Sequence, residues 1–141
     1  DLSLPKEMDI MFQEIDMEYR TGYELTLELI QQVPQITAIA GTNDMVALGI
    51  RDALLKEKYR IPEDISVIGC DNLLFSGLRG IDLTTVEHYV SKKGEDACGI
   101  LIQEMGEQKA KNNSSGENMV HHIEYEPRLV VRGSSSYPKL K

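Results

Sequence analysis

The 141-residue sequence has no tryptophan, only two cysteines and more acidic than basic residues, with a formal net charge of −8. Two cysteines are too few for a disulfide scaffold, and a core of this size needs none. Cys70 and Cys98 lie far apart in apolar surroundings, so we expect two buried, reduced thiols rather than a disulfide. An acidic surface repels the phosphate backbone, which argues against direct DNA binding by this chain.

Long apolar runs are also missing from the sequence. No stretch approaches the roughly 20 apolar residues that a bilayer-spanning helix requires. Residues 1–10 are acidic overall and carry neither the basic nor the apolar region of a secretory signal. These features predict a cytoplasmic protein without a membrane partner. The 41% hydrophobic and 27% charged residues are typical of a globular domain.

The order of apolar stretches indicates an α/β fold. Apolar, mostly β-branched runs predict strands at 10–15, 36–41 and 65–70. Helical spacing of apolar residues predicts helices at 19–33 and 45–59. Pro34 would end the first helix, and Thr42 or Asn43 would cap the second. Strands that alternate with helices pair in parallel, so we expect an open, parallel, Rossmann-like sheet flanked by helices.

The pattern is less regular in the second half of the chain. Residues 72–85 contain two glycines and no steady period, which predicts a loop over the sheet edge. Residues 90–105 have helical character, and the polar composition of residues 111–118 predicts a flexible loop. The stretch 119–132 has strand-like content interrupted by Pro127, and a polar tail follows it.

Small polar residues follow two of the predicted strands, where ligands of an open parallel sheet bind. Asn43 offers a donor and acceptors to a sugar hydroxyl, and Asp71 offers an acceptor-only carboxylate. The same residue types are ordinary caps and turn formers, so these residues alone leave a binding and a structural role open. Asp44 fits a helix cap or a first-turn acid better than a ligand.

The stretch TNDMVALGIRDALLKEKYRIPEDISVIGCDN at 42–72 resembles the signature region of the LacI/GalR (lactose repressor) transcription regulators. LTTVEH at 83–88 and EPRLVVRGSS at 126–135 resemble a turn and the terminal strand of that family. The resemblance implies the C-terminal subdomain of a type I periplasmic-binding-protein-like fold. It also implies the effector-binding and dimerisation portion of a bacterial sugar-responsive repressor.

The same resemblance implies which residues contact the effector, a sugar or related polar metabolite. Asn43 and Asp71 match the positions that hydrogen-bond sugar or purine effectors in the family. Met17 and Val90 fall where the family often has an aromatic residue that stacks on a sugar ring. Met17 has plain core packing as its alternative. Neither side chain offers the flat face on which a pyranose packs.

The resemblance also implies how the chain is organised, as one incomplete domain over 1–141. Residues 1–89 would form the C-terminal subdomain, and the helix at 90–110 would pack on a first subdomain absent from the chain. Residues 111–118 would form a loop, and 119–141 a terminal strand and tail. Operator DNA would be bound only by an absent helix-turn-helix head, and the protein would act as a homodimer. We expect the isolated chain to associate through its uncovered surfaces or to be a cleavage product.

Other functional classes are less well matched by the residues. A periplasmic sugar-binding protein of the same fold is the alternative, but the PEDIS strand and the RGSS ending favour the regulator. No nucleophile with a neighbouring base and no phosphate loop is evident, even at Cys70, so we predict neither an enzyme nor a cofactor. His121 and His122 would point to opposite faces of a strand, and no zinc-type spacing occurs, so we predict no metal site.

Overall fold

The computed structural model describes residues 17–110 and 120–138. The predicted strand at 10–15 and the predicted loop at 111–118 lie outside the described residues. The described helices are α1 (Tyr19–Gln32), α2 (Asp44–Lys56) and α3 (Val90–Ala110), with a short 3-10 helix at Leu74–Gly77. The described strands are β1 (Ala38–Ala40), β2 (Ser66–Cys70), β3 (Thr84–Glu87) and β4 (Arg128–Val130).

The described strands form one sheet in the order β1-β2-β3-β4. β1, β2 and β3 are parallel, which confirms the predicted α/β architecture. β4 runs antiparallel to β3 and makes the sheet mixed at this edge, where a purely parallel sheet was expected. The connection from β2 to β3 contains the 3-10 helix instead of an α-helix.

Strand β3 corrects the prediction that residues 72–85 form only a loop. Thr84 and Thr85 are buried strand residues, although their hydroxyls interrupt the apolar pattern that indicates a buried strand. The Thr84 hydroxyl accepts a hydrogen bond from the Arg132 backbone N–H at 2.9 Å, and the Thr85 hydroxyl donates to Asp44. Burial of these hydroxyls is tolerated because each has a partner.

The core lies between α2 and the sheet. Apolar side chains of α2, β2 and the residues flanking them form the buried cluster, including Ile50, Leu54, Ile65, Val67 and Leu83. Helix α1 packs against α2, and its Ile30 belongs to the same buried cluster. We call α1, α2 and the four-stranded sheet the core unit.

Two glycines allow α1 and α2 to approach closely. A Cβ at Gly22 of α1 would collide with the Val46 carbonyl oxygen of α2. A Cβ at Gly49 of α2 would collide with the Tyr19 carbonyl oxygen of α1. The two backbones therefore touch where the helices cross, and each glycine is required for a steric reason.

Helix α3 is much less covered than α1 and α2. Its apolar residues Leu101, Ile102 and Met105 are exposed, and so is Cys98. The prediction of a buried thiol is therefore wrong for Cys98, because no described element covers this side of α3. Residues 120–127 contact α3 through Tyr125, whose hydroxyl donates to Asp96 at 2.6 Å. We call α3 together with 120–127 the arm.

No helix in the described ranges, the exposed α3 included, combines the length and the apolar content needed to cross a bilayer.

Candidate functional site

The carboxyl edge of the parallel strands carries all four of the predicted effector residues. Asn43 follows β1, Asp71 follows β2, and Val90 comes three residues after the end of β3. Met17 reaches the same edge because the Asn43 side-chain amide donates a hydrogen bond to the Met17 carbonyl oxygen at 3.1 Å. Since parallel strands end at one edge, these four residues line the part of the sheet where ligands bind in such folds.

Asn43 uses its side chain to build this edge. Its Oδ1 accepts a hydrogen bond from the Val46 N–H at 2.8 Å, which makes Asn43 the N-cap of α2. Its amide nitrogen holds Met17, as described above. The structural role is therefore present, while one amide hydrogen and one oxygen lone pair stay available to a ligand.

Met17 and Val90 present apolar surface to solvent. Met17 is 67% exposed and Val90 is 57% exposed. Core packing, the alternative for Met17, does not agree with this exposure. Both side chains are accessible at the edge where the sequence places the effector.

Asp71 stands in a conformation that L-residues rarely adopt. Its φ is 108° and that of Asn72 is 50°. Positive φ values at such residues cost on the order of 1–3 kcal/mol each and persist only where the surroundings enforce them. The half-buried Asp71 carboxylate accepts no hydrogen bond from the described residues, while its backbone N–H donates to the Val86 carbonyl oxygen at 2.9 Å. At the carboxyl end of β2, the described part of the chain thus places an acceptor to which none of its own residues donates.

A polar network holds the turn at 71–72 in place. Arg132 donates to the Asn72 Oδ1 and to the Leu83 carbonyl oxygen, each at 2.7 Å. The Asn72 amide nitrogen in turn donates to the Glu87 carboxylate at 2.7 Å. Glu87 also accepts from the Tyr89 backbone N–H at 2.6 Å. The hydrogen bonds from Asn72 and Tyr89 lower the pKa of the Glu87 carboxyl.

A second anchor of this turn is the buried carboxylate of Asp44. It accepts hydrogen bonds from the Leu73 N–H at 2.8 Å and from the hydroxyls of Ser76 and Thr85. A Cβ at Gly69 would collide with it, so β2 needs glycine there. Asp44 does lie in the first turn of α2, as predicted, but its side chain joins α2 to the segment after β2 and to β3.

Cys70 has a base beside it, contrary to the sequence prediction. Its Sγ lies 2.9 Å from the Nε2 of His88, within hydrogen-bond distance. Cys70 pairs with Val86 across the parallel strands, and His88 lies two residues further on the same face of the sheet. Burial, followed by the charges of Asp71 and Asp44, raises the pKa of the Cys70 thiol. The thiol is therefore held protonated, which makes it a weak nucleophile.

Sequence reasoning did not identify His88, Glu87 and Arg132 as parts of this edge. Recognition of a strand at 84–87 would have indicated His88, because such a strand in register with β2 brings residue 88 next to residue 70. Arg132 was recognised only as part of the RGSS ending. Its contact with Asn72 joins residues that are 60 positions apart.

A groove of about 450 Å³ lies at the opposite edge of the sheet. Its walls include Thr37, which precedes β1, Ser66, which begins β2, and Tyr59. None of the four predicted effector residues lines it. The groove is therefore separate from the carboxyl edge that carries the polar site.

Comparisons with known proteins identify the family. Residues 5–135 match the periplasmic binding protein-like domain. The PurR repressor of Mannheimia succiniciproducens, an HTH-type transcriptional repressor, is 34% identical over 121 residues, 86% of this chain and 34% of that protein. The chain belongs to the LacI/GalR family. The arabinose metabolism transcriptional repressor of Halalkalibacterium halodurans is 34% identical over 103 residues, 73% of this chain and 27% of that repressor.

Solved structures agree with this assignment. A LacI-family transcriptional regulatory protein from Corynebacterium glutamicum superposes with a TM-score of 0.70 at 30% identity, covering 85% of this chain and 43% of that one. A LacI-family regulator from Enterococcus faecium with bound ribose gives a TM-score of 0.71 at 25% identity, covering 88% of this chain and 42% of the other. The predicted fold and family are confirmed.

The chain spans 34% of the length of the PurR repressor and 27% of the length of the arabinose metabolism repressor, so between about a quarter and a third of these curated relatives. Those LacI/GalR relatives are transcriptional repressors, so the regulator is favoured over the periplasmic sugar-binding alternative. Those repressors are not enzymes, and the absence of catalysis in this chain stays a prediction.

Proposed function

We propose that this chain forms one wall of the effector-binding cleft of a cytoplasmic LacI/GalR repressor. The single observation that carries the proposal is the Asp71 carboxylate at the carboxyl end of β2. It is half-buried and held in a strained turn, and it accepts no hydrogen bond from the described residues. Strained, enforced conformations concentrate at ligand-binding sites. A ligand that donates hydrogen bonds would supply the donors that this carboxylate lacks among the described residues.

The chemistry of the edge favours a small polyhydroxylated metabolite. Asp71 accepts from ligand hydroxyls, and Asn43 can both donate and accept with its remaining capacity. Met17 and Val90 supply accessible apolar surface beside these polar groups. A sugar combines donor hydroxyls with C–H faces and matches both kinds of contact. The broad thioether of Met17 and the branched Val90 replace a flat aromatic platform.

In the complete protein the effector would bind between this subdomain and a first subdomain, on which α3 packs. The exposed apolar residues of α3 support such a cover. A ligand that binds one arrangement of the two subdomains better than another shifts a homodimer between operator-competent and operator-incompetent states. Operator DNA would be contacted by a separate helix-turn-helix head, since this chain carries a net charge of −8.

The test uses the product of the complete open reading frame. A thermal-shift screen of sugars and nucleosides first identifies the effector, and fluorescence anisotropy then measures its effect on operator binding. Asp71→Asn should weaken the binding of the effector by about 10- to 100-fold, as expected for the loss of charged hydrogen bonds. Operator affinity without effector should stay unchanged.

A matched control variant tests whether the effect is specific to the Asp71 carboxyl. Glu57→Gln alters an exposed carboxyl at the C-terminal end of α2 and should leave the effector response as it is. Asn43→Ala is a poorer probe, because it also removes the N-cap of α2. A normal effector response in Asp71→Asn would contradict the role assigned to Asp71.

A further inference from the structure

Three different metal-ligand groups meet at the carboxyl edge of β2 and β3. They are the Cys70 thiol, the Asp71 carboxylate and the His88 imidazole, and one ligand atom of each lies within 4.8 Å of the others. All three residues are half-buried. We propose that Cys70, Asp71 and His88 form a binding site for a divalent transition-metal ion of the zinc type.

The donor set selects the class of metal. Sulfur, imidazole nitrogen and carboxylate oxygen are the ligands of Zn²⁺, and three protein ligands with an open fourth position are common in non-structural zinc sites. Mg²⁺ and Ca²⁺ prefer oxygen ligands throughout, so a site that contains a thiol and an imidazole disfavours them. The site therefore fits zinc and its chemical neighbours such as cobalt.

The geometry needs only a small adjustment to accept the ion. Zn–S and Zn–N bonds of about 2.3 and 2.0–2.1 Å in a tetrahedral arrangement place sulfur and nitrogen roughly 3.6 Å apart. Cys70 Sγ and His88 Nε2 are now 2.9 Å apart. A separation larger by roughly 0.7 Å lies within the reach of small rotations of the two side chains.

The backbone that carries the three ligands is held firmly. Cys70 and Val86 are paired strand residues, which places His88 on the same face as Cys70. Asp71 follows directly, and its N–H is bonded to the Val86 carbonyl oxygen at 2.9 Å. Cys70 is the last residue of β2, and Asp71 and His88 directly follow β2 and β3, so the ends of two paired strands support all three ligands.

The electrostatics of the cluster also favour a cation. The Asp71 carboxylate belongs to the cluster, and the Asp44 carboxylate lies against Gly69, the residue before Cys70. The same negative charges attract a divalent cation, and the bound cation in turn stabilises the thiolate.

The metal site goes beyond the proposed effector function, with which it shares Asp71. Cys70 and His88 have no part in that function, so variants of these two residues separate the two proposals. In the complete repressor, His88→Gln should weaken metal binding while the effector still binds. A metal titration of this chain needs no effector, so its result stands whether or not the effector proposal holds.

The experiment is a titration of the reduced, chelator-treated 141-residue chain with Co²⁺ alone, followed by absorption spectroscopy. We expect a thiolate-to-cobalt charge-transfer band that saturates at one equivalent and disappears when Zn²⁺ displaces the cobalt. Cys70→Ser should abolish the band. His88→Gln should weaken binding by at least the roughly 10- to 100-fold that loss of even an outer-shell partner causes.

Two controls remove the other thiol and another imidazole of the described residues. Cys98→Ser and His122→Gln change exposed residues of the arm and should leave the cobalt spectrum unchanged. Absence of the band in the unmutated chain overturns the proposal without recourse to any variant. A band that survives in Cys70→Ser, or that is lost in Cys98→Ser, overturns it as well.

Discussion

In the core unit, α2 buries seven of its 13 residues, among them Ala47, Ala53 and Leu54. In the arm, no described side chain of α3 between residues 90 and 106 is buried. Both helices contain apolar residues and glycines, yet the glycine at position 49 of α2 meets a backbone, whereas Gly94, Gly99 and Gly106 of α3 face open space. The same residue types therefore have different consequences in the two regions.

The difference shows what keeps each region folded. The core unit is stabilised by apolar burial and by buried polar groups that all have partners. The arm is joined by exposed interactions, such as the Lys92–Asp96 ion pair at 2.6 Å and the contact between Glu104 and His121. Exposed ion pairs contribute about 0–1 kcal/mol each. The apolar surface of α3 thus suits a partner surface better than it suits solvent.

The largest expected effect comes from replacing a buried aspartate of the core unit, and an aspartate of the arm provides the comparison. Asp44→Ala leaves the Leu73 N–H and the hydroxyls of Ser76 and Thr85 without their acceptor in the core unit. We expect the free energy of unfolding to fall by about 3 kcal/mol or more, because unpaired buried donors cost about 1–3 kcal/mol each. Urea denaturation followed by circular dichroism measures the change.

Asp96→Ala is the matched variant in the arm. Asp96 also accepts two hydrogen bonds, from Lys92 and from Tyr125. Because Lys92 and Tyr125 can form hydrogen bonds with water instead, Asp96→Ala should lower the free energy of unfolding far less than Asp44→Ala does. Equal losses in the two variants would show that the arm is as strongly coupled to folding as the core unit, which would break the comparison.

A pair of glycine substitutions should change stability in opposite directions. Gly49→Ala forces α1 and α2 apart, because the added Cβ meets the Tyr19 carbonyl oxygen, and should cost about 1–3 kcal/mol. Gly99→Ala adds a methyl group in open space within α3 and should stabilise the helix by about 0.5–1 kcal/mol. Thermal melts of both variants measure the direction and size of the two stability changes. A destabilised Gly99→Ala would mean that α3 is covered on that side.

Much of the core unit was predictable from local pattern. Apolar periodicity located α1 and α2, and β-branched runs located β1 and β2. β3 was missed because Thr84 and Thr85 are polar, and their burial depends on distant partners such as Ser134, which accepts from the Thr84 N–H at 2.8 Å. A local pattern does not contain a partner that is 50 residues away.

The candidate site was predictable only in part, for the same reason. The rule that ligands bind at the carboxyl edge placed Asn43 and Asp71 correctly at that edge. Cys70 and His88 are neighbours because of the register between β2 and β3. This register cannot be predicted from a sequence in which β3 is not recognised as a strand. Cys98 was expected to be buried from its apolar neighbours, but apolar residues on a helix are buried only where another element covers them.

The smallest expected effect concerns Glu87, which joins the turn after β2 to Tyr89, the residue directly before the arm, through hydrogen bonds from Asn72 and from the Tyr89 N–H. The pKa of Glu87 is lowered from its ordinary value of 4.5, so folding favours the carboxylate. Its contribution is present above pH 4.5 and is lost as the pH falls through the lowered pKa. Glu87→Gln should therefore cost about 1 kcal/mol at neutral pH and progressively less in acid.

Urea unfolding midpoints measured from neutral to acidic pH test this contribution of Glu87. Asp96→Asn serves as the counterpart in the arm, because Lys92 and Tyr125 also lower the pKa of that partly exposed carboxyl. Solvent screening at Asp96 should leave the acid dependence of unfolding nearly unchanged in its variant. If Glu87→Gln keeps the full acid dependence of the parent chain, the hydrogen bonds of Glu87 contribute nothing to stability, and this junction does not couple the arm to the core unit.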